Sequence, residues 1–361
     1  MKHCRVVTSW PLEGGLGSGT AAVANGVIVA LRQRGVGVET LEFAESTENY
    51  LLTTVQRLAF GYRIGRGMNR REPMPNVAFD QDGFFFPANV PHTCMLQAMY
   101  ADIIRFERGL IGGAVRLLAR MERRTAEKAA AVFVSSEYTA RKAAQLYALP
   151  AAKIRVMSNG LFLDDWRRWL NAAPPRTDAR PTLLCVARLY RRKSVDRLIA
   201  DAWPLVLGKI PEARLLVAGN GLEFERLRAL VRERGLTSSV EMLGHIPAGA
   251  PLAPLYRAAD VFCLPSMQEN FGVVLLEAMA AGLPIAAFRA GAVPEVSRDG
   301  SEALLAEADD FPALAERIAH LLQNAGEGRR LGAAGMERVE RHYRWERVIE
   351  PLADWLAQCQ F

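Results

Sequence analysis

The sequence predicts an α/β protein made of two Rossmann-like domains in tandem, on three observations. Its 361 residues are enough for two domains of ordinary size, each able to bury its own core. Short β-rich runs alternate with helical patterns, the mark of βαβ units around a parallel sheet. The alternation also starts afresh near residue 182, after a proline-bearing stretch that suits an exposed linker.

In the first half, Val6-Val7-Thr8 reads as a strand, 20–34 as a helix and 36–43 as a strand. Further on, Val132-Phe133-Val134 is a strand followed by a helix over 137–147. Pro174 and Pro175 lie within 171–178 and cannot continue a helix, which places the domain boundary there, with domains 1–172 and 173–343. The second half offers strands at 183–186, 214–218, 240–243 and 261–264, with helices over 194–208 and 223–234. In the last stretch, 344–361, Val348, Leu352, Trp355 and Leu356 share one helical face, which must dock on its own domain or back on the first.

Half of the residues are hydrophobic and 23% are charged, the balance of a folded globular chain. The five cysteines are widely spread, mostly within apolar runs and without metal-ligand spacing, as expected of reduced thiols in the cytoplasm. The N-terminus lacks the apolar core of a signal peptide, and no stretch is apolar enough to span a bilayer. The formal charge of +6 allows several kinds of anionic partner. No nucleic-acid module or stacking aromatic series is present, so nucleic acid is not an expected partner.

Chemistry concentrates in residues 265–284. The strand 261–264 ends in a loop carrying Glu269, and the following helix carries Glu277 and stops at Gly282-Leu283-Pro284. In an open α/β sheet, ligands bind beyond the carboxyl ends of the strands, where Glu269 stands. Amides of Asn270, Phe271, Gly272 and Val273 lie at a helix N-terminus suited to anionic or hydroxyl-rich ligands. A plain reading makes Glu269 a complement to the helix dipole and Glu277 a solvated residue. Glu277, however, sits among Leu275, Leu276, Ala278 and Met279, where an unpaired carboxylate is costly and a ribose diol would satisfy it.

This segment resembles the E-x7-E motif of the retaining glycosyltransferases of family 4, which have the GT-B fold of two Rossmann-like domains facing across a cleft. The resemblance extends further. Arg188 at a strand end and Lys193 five residues later are similar to the family's cation pair, Gly219-Asn220-Gly221 followed by Glu225 to its G-x-G turn, and 240–244 to the strand before its base-contacting loop, which here holds Ile246. Asn159-Gly160-Leu161 with Asp164 resembles a further family element before the linker. The resemblance implies that Arg188 and Lys193 neutralise a diphosphate leaving group, that Glu269 holds sugar hydroxyls and that Glu277 holds the ribose of a UDP- or GDP-sugar. It also implies retention by front-face substitution without a protein nucleophile, and no metal or cofactor beyond the nucleotide sugar as co-substrate.

The glycine run Gly14-Gly15-Leu16-Gly17-Ser18-Gly19 resembles the family loop that approaches donor phosphates and acceptor. A dinucleotide site is the rival, since Glu42 follows near the end of the second strand, but Thr20 stands where the third glycine belongs. Asp80-Gln81-Asp82 has the D-x-D spacing that binds manganese in another glycosyltransferase fold, yet no third oxygen ligand is evident, and a turn or acceptor contact is the better expectation. His92 and Gln97 compete for the family's cleft histidine, and Asp102 could meet an acceptor or form a salt bridge. Arg116, Arg120, Arg123, Arg124 and Lys128 form a basic helix face, either simply solvated or resting on an anionic membrane from the cytoplasmic side. The function expected is hexosyl transfer from a UDP- or GDP-sugar to a small-molecule, polysaccharide or lipid-linked acceptor. A sugar-nucleotide epimerase and a non-catalytic sugar-nucleotide-binding protein are the alternatives.

Overall fold

The structure, a computed structural model, describes residues 3–12, 19–43 and 49–359. The chain forms two compact units: residues up to Gly160 together with the stretch from Trp345 onward, and Leu161–Arg344.

The first unit holds a parallel sheet of β1 (His3–Thr8), β2 (Gly37–Glu42), β3 (Asn76–Phe79), β4 (His92–Leu96), β5 (Ala131–Val134) and β6 (Ile154–Val156), in the order β2-β1-β3-β4-β5-β6. The second holds β7 (Thr182–Val186), β8 (Arg214–Ala218), β9 (Val240–Gly244), β10 (Val261–Leu264), β11 (Ile285–Phe288) and β12 (Ala303–Ala306), in the order β12-β11-β10-β7-β8-β9, also parallel. Winding reverses between β1 and β3 in the first sheet and between β7 and β10 in the second. Side chains from these paired strand ends flank the crevice where open α/β sheets bind ligands.

Strands β10 and β11 of the second sheet are apolar throughout because both faces are covered, whereas the edge strand β9 carries the exposed Glu241. Leu183, Cys185, Leu215, Val217, Val261 and Cys263 point into one layer with Trp203 and Phe311. Their neighbours Leu184, Val186, Leu216, Ala218, Phe262 and Leu264 point into the other, with Trp166, Tyr256 and Met279. The helix Leu163–Ala172 buries Leu163 and Trp166 in this second layer. That is why the chain divides after Gly160, ahead of the proline-bearing stretch that the sequence marks as the boundary.

The C-terminal helix Glu350–Gln358 belongs to the first unit. Trp345 lies against Gly26 and Gly160, so closely that a Cβ on Gly26 would overlap its indole. Arg34 donates to the Glu346 carbonyl at 2.7 Å and pairs with Glu350 at 2.9 Å. No helix among the described residues is long and apolar enough to cross a membrane.

Candidate functional site

Two polar constellations lie at the two winding reversals. In the second unit, β7 runs into Ala187-Arg188-Leu189, and β10 into the loop 265–272 that leads to the helix Val273–Ala280. Met267 donates its amide to the Arg192 carbonyl at 2.8 Å, tying the two strand-end loops together. On that frame Lys193 and Glu269 form an ion pair, with side chains 11% and 9% exposed. Burial favours the neutral acid, but the Lys193 and Arg192 charges outweigh it and hold Glu269 below the ordinary carboxylate range. Burial in turn lowers Lys193, against the pull of Glu269 and with the help of Arg192.

Arg188 bonds the Tyr190 hydroxyl at 2.9 Å, and its charge, after burial, lowers the neighbouring His245. Gly219 has φ of +140°, and a Cβ there would overlap the Ala187 carbonyl oxygen, so the turn after β8 packs directly on the Arg188 loop. Gly221 follows in the same turn, where the Asn220 carbonyl accepts from the Leu189 amide at 3.0 Å. Ile246, two residues beyond β9, packs against the apolar layer beneath.

Glu277 is buried on the helix Val273–Ala280, and Tyr256 donates its hydroxyl to Oε2 at 2.6 Å. Burial pushes the Glu277 carboxyl up to about 7, although the Tyr256 bond opposes the rise. A raised acid keeps its proton in the fold after the unfolded chain has lost it. Stability contributed through Glu277 is therefore present at low pH and lost as pH rises toward 7. Denaturation of Glu277→Gln beside the natural protein at pH 5 and pH 8 is expected to show a smaller loss in the variant; equal losses would contradict the shift.

Of the other residues read as donor contacts, Asn270 accepts from the Gln268 amide at 2.7 Å, and Gly272 and Val273 open the helix. The Phe271 ring turns inward, 5.7 Å edge-on from Tyr343, which leaves only its backbone for a ligand. Gly15 and Gly17 lie outside the described residues. Asn159 sits in the first unit, donating to Gln97 Oε1 at 3.1 Å.

In the first unit, Ser9 after β1 and Asp80 to Asp82 after β3 meet in a buried cluster. Asp82 accepts from the Ser9 amide at 2.6 Å and from Gln81 Nε2 at 2.8 Å, and burial pushes it up to about 7. Asp80, at φ +48°, accepts from the amides of Gln97 and Ala98 at 2.8 and 2.9 Å. Arg57 is the cation of this cluster, bonded to the Ser9 hydroxyl at 3.0 Å and stacked on Trp10 at 3.8 Å. Gln97 thus joins the cluster at the carboxyl end of β4. His92 opens β4 at its other end and lies within 3.1 Å of the Thr125 carbonyl. Asp102 is set apart, accepting from the Tyr138 hydroxyl at 2.6 Å with Lys142 and Arg105 nearby. Among the described residues, no group of three acidic, histidine or cysteine side chains is arranged to hold a metal ion.

Sequence reasoning missed Tyr256, His245, Tyr190 and Gly291. Tyr256 reads as a core aromatic at helical spacing, and only its hydroxyl hinted at a polar partner.

Residues 180–324 match the family model described as Glycosyl transferases group 1. The chain is 32% identical over 236 residues to the GDP-mannose-dependent alpha-(1-6)-phosphatidylinositol monomannoside mannosyltransferase of Mycobacterium tuberculosis, covering 62% of this chain and 60% of that one. To the D-inositol 3-phosphate glycosyltransferase of Thermobispora bispora it is 32% identical over 256 residues, covering 67% and 58%. The chain thus spans about 60% of the length of these curated relatives. Among solved structures, sucrose-phosphate synthase from Thermosynechococcus elongatus superposes with a TM-score of 0.80 at 22% identity over 99% of both chains. Anabaena HepE in complex with UDP and glucose superposes with a TM-score of 0.74 at 16% identity, over 98% of this chain and 99% of that one. The matched segment, which takes in the loop of Arg188 and Lys193 together with Glu269 and Glu277, belongs to the glycosyl transferases group 1, and the chain has the GT-B fold of its structural neighbours.

Proposed function

We propose that the protein is a retaining hexosyltransferase that takes its sugar from a UDP- or GDP-sugar bound by the second unit. The observation that carries this reading is the buried Lys193–Glu269 pair at the winding reversal, with Arg188 in the same strand-end loop as Lys193 and a second buried carboxylate, Glu277, close in sequence to Glu269. Breaking the bond between sugar and diphosphate builds negative charge on the leaving group, and Arg188 and Lys193 are fixed cations suited to stabilise it. Glu269 would hold sugar hydroxyls, and Glu277, ionised above its raised pKa, would accept from the ribose diol. The reaction would proceed on the front face, with no covalent sugar on Glu269.

A screen of UDP- and GDP-sugars for hydrolysis and transfer tests the reading. GDP-mannose heads the screen because several relatives are GDP-mannose-dependent mannosyltransferases by name. A donor that binds and is neither hydrolysed nor transferred would make the protein a non-catalytic binder; an epimerised sugar would make it an isomerase.

An acceptor held at an anionic membrane fits the first unit. The helix Gly109–Lys128 turns Arg116, Arg120, Arg123 and Arg124 outward beside Leu110 and Leu117, the former 79% exposed. A cavity of about 260 Å³ lies among Arg116, Arg120, Arg123 and Leu146. The helix Tyr50–Gly67 contains no acidic residue and exposes Leu52, Val55 and Tyr62. Each basic side chain near an anionic surface contributes about 1 kcal/mol. The protein is therefore expected to float with phosphatidylserine-containing liposomes at low salt and to release at high salt, with weaker binding in Arg116→Glu/Arg120→Glu. No binding at low salt would end this part of the reading.

A further inference from the structure

Tyr256 has no part in the reaction outlined above, yet it grips the carboxylate to which that reading gives the ribose. It is 1% exposed on the helix Ala253–Ala258, edge-on to Trp166 with ring centroids 5.2 Å apart and stacked on Phe262 at 5.8 Å. Walled in on two sides, the phenol cannot turn away, and its hydroxyl meets Glu277 Oε2 at 2.6 Å. Trp166 fixes the same turn from the backbone side, its indole donating to the Glu277 carbonyl at 3.1 Å.

The charged residues of the surrounding helices are engaged elsewhere. Asp164 pairs with Arg344, Arg167 with Glu340 and Arg168 with Asp165. Arg257 donates to the carbonyls of Leu170 and Asn171, and Arg338 to those of Glu295 and Val296. The neighbouring strand β11 carries no charged residue.

We propose that Tyr256 is a positioning residue for Glu277: it holds Oε2 and fixes the carboxylate so that Oε1 accepts from the vicinal diol of a nucleoside diphosphate. This rests on the reading of Glu277 as the ribose acceptor. A carboxylate has about four acceptor positions, so one phenol leaves ample capacity for the ligand while removing the freedom of the side chain to turn away. The bond forms with the ionised acid and opposes the rise that burial imposes on Glu277. Without the hydroxyl, Glu277 should stay protonated to higher pH and accept poorly from a diol at neutrality.

The test is Tyr256→Phe, measured by calorimetric titration with GDP and with UDP from pH 6 to pH 9. A hydrogen bond to a charged group contributes about 1.5–3 kcal/mol. Nucleotide affinity is accordingly expected to fall about tenfold at pH 7, with the gap narrowing by pH 9 and the step absent in Glu277→Gln. A deficit equal at every pH, or no deficit, overturns the proposal.

A second arm needs no nucleotide. In the ligand-free protein, Tyr256→Phe should destabilise more at pH 8.5 than at pH 5, and that difference should vanish in the Glu277→Gln background. A pH-independent loss overturns the coupling. Failure of the natural protein to bind either nucleotide would remove the nucleotide-sugar reading instead, with the ligand-free arm still judging Tyr256 against Glu277.

Discussion

Replacing Glu269 or Lys193 by alanine is expected to lower sugar transfer by at least about a hundredfold while leaving the fold intact. Groups aimed at developing charge inside a dry site typically contribute factors of about 10²–10³. These two side chains are nearly buried and in direct contact, so each removal also leaves the other mis-set. Loss of Glu269 leaves Lys193 facing Arg192 with no counter-charge, which lowers the lysine further. Loss of Lys193 withdraws the strongest charge holding Glu269 ionised. Initial rates with a saturating donor, beside circular dichroism to verify folding, decide the matter. Near-normal rates in both variants would reject the assignment.

A comparable loss is expected from Gly291→Ala, which alters no polar side chain. Gly291 has φ of +59°, and its neighbour Ala292 donates to the Glu269 carbonyl at 2.9 Å. A Cβ at Gly291 would overlap that same carbonyl oxygen, and backbone cannot rotate out of the way. The left-handed conformation costs alanine about 1–2 kcal/mol. Relieving the overlap means moving the Glu269 segment itself, and a displacement of about 1 Å in a reacting group can cost about a hundredfold in rate. Gly300→Ala is the control. Its φ is +70°, but nothing lies within 4 Å of its would-be Cβ. Both variants should melt earlier, and only Gly291→Ala should lose most of its transfer activity. Equal rates in the two would detach Gly291 from the site.

The alternation of apolar strands with helices was enough to read the tandem parallel sheets, because a strand buried on both faces is apolar throughout. Arg188, Lys193, Glu269 and Glu277 were readable for a related reason: they stand just beyond such strands, within local runs. What escaped depends on contacts distant in sequence. Gly291 and Glu269 belong to the turns after β11 and β10, and nothing local at either position announces the other. Trp10, Arg57, Asp80 and Gln97 reach one buried cluster from four separate segments, so only the fold assembles it. His92 and Gln97 looked interchangeable until the register of β4 put them at opposite ends of one strand. The domain boundary shifted because prolines report where a helix cannot run, whereas the division follows where Leu163 and Trp166 are buried.

Trp345 packed on Gly26, with Arg34 clasping Glu350, also orders events during synthesis. The second unit is one uninterrupted stretch, Leu161–Arg344, and has all its residues before the C-terminal helix is made. The first unit begins earlier but must wait for Trp345 and Glu350, a closure spanning most of the chain. The half made first is therefore completed last, by residues that follow the whole of the second unit. An unfinished chain would expose the Trp345 seat around Gly26 as a transient apolar surface, one on which chaperones could act.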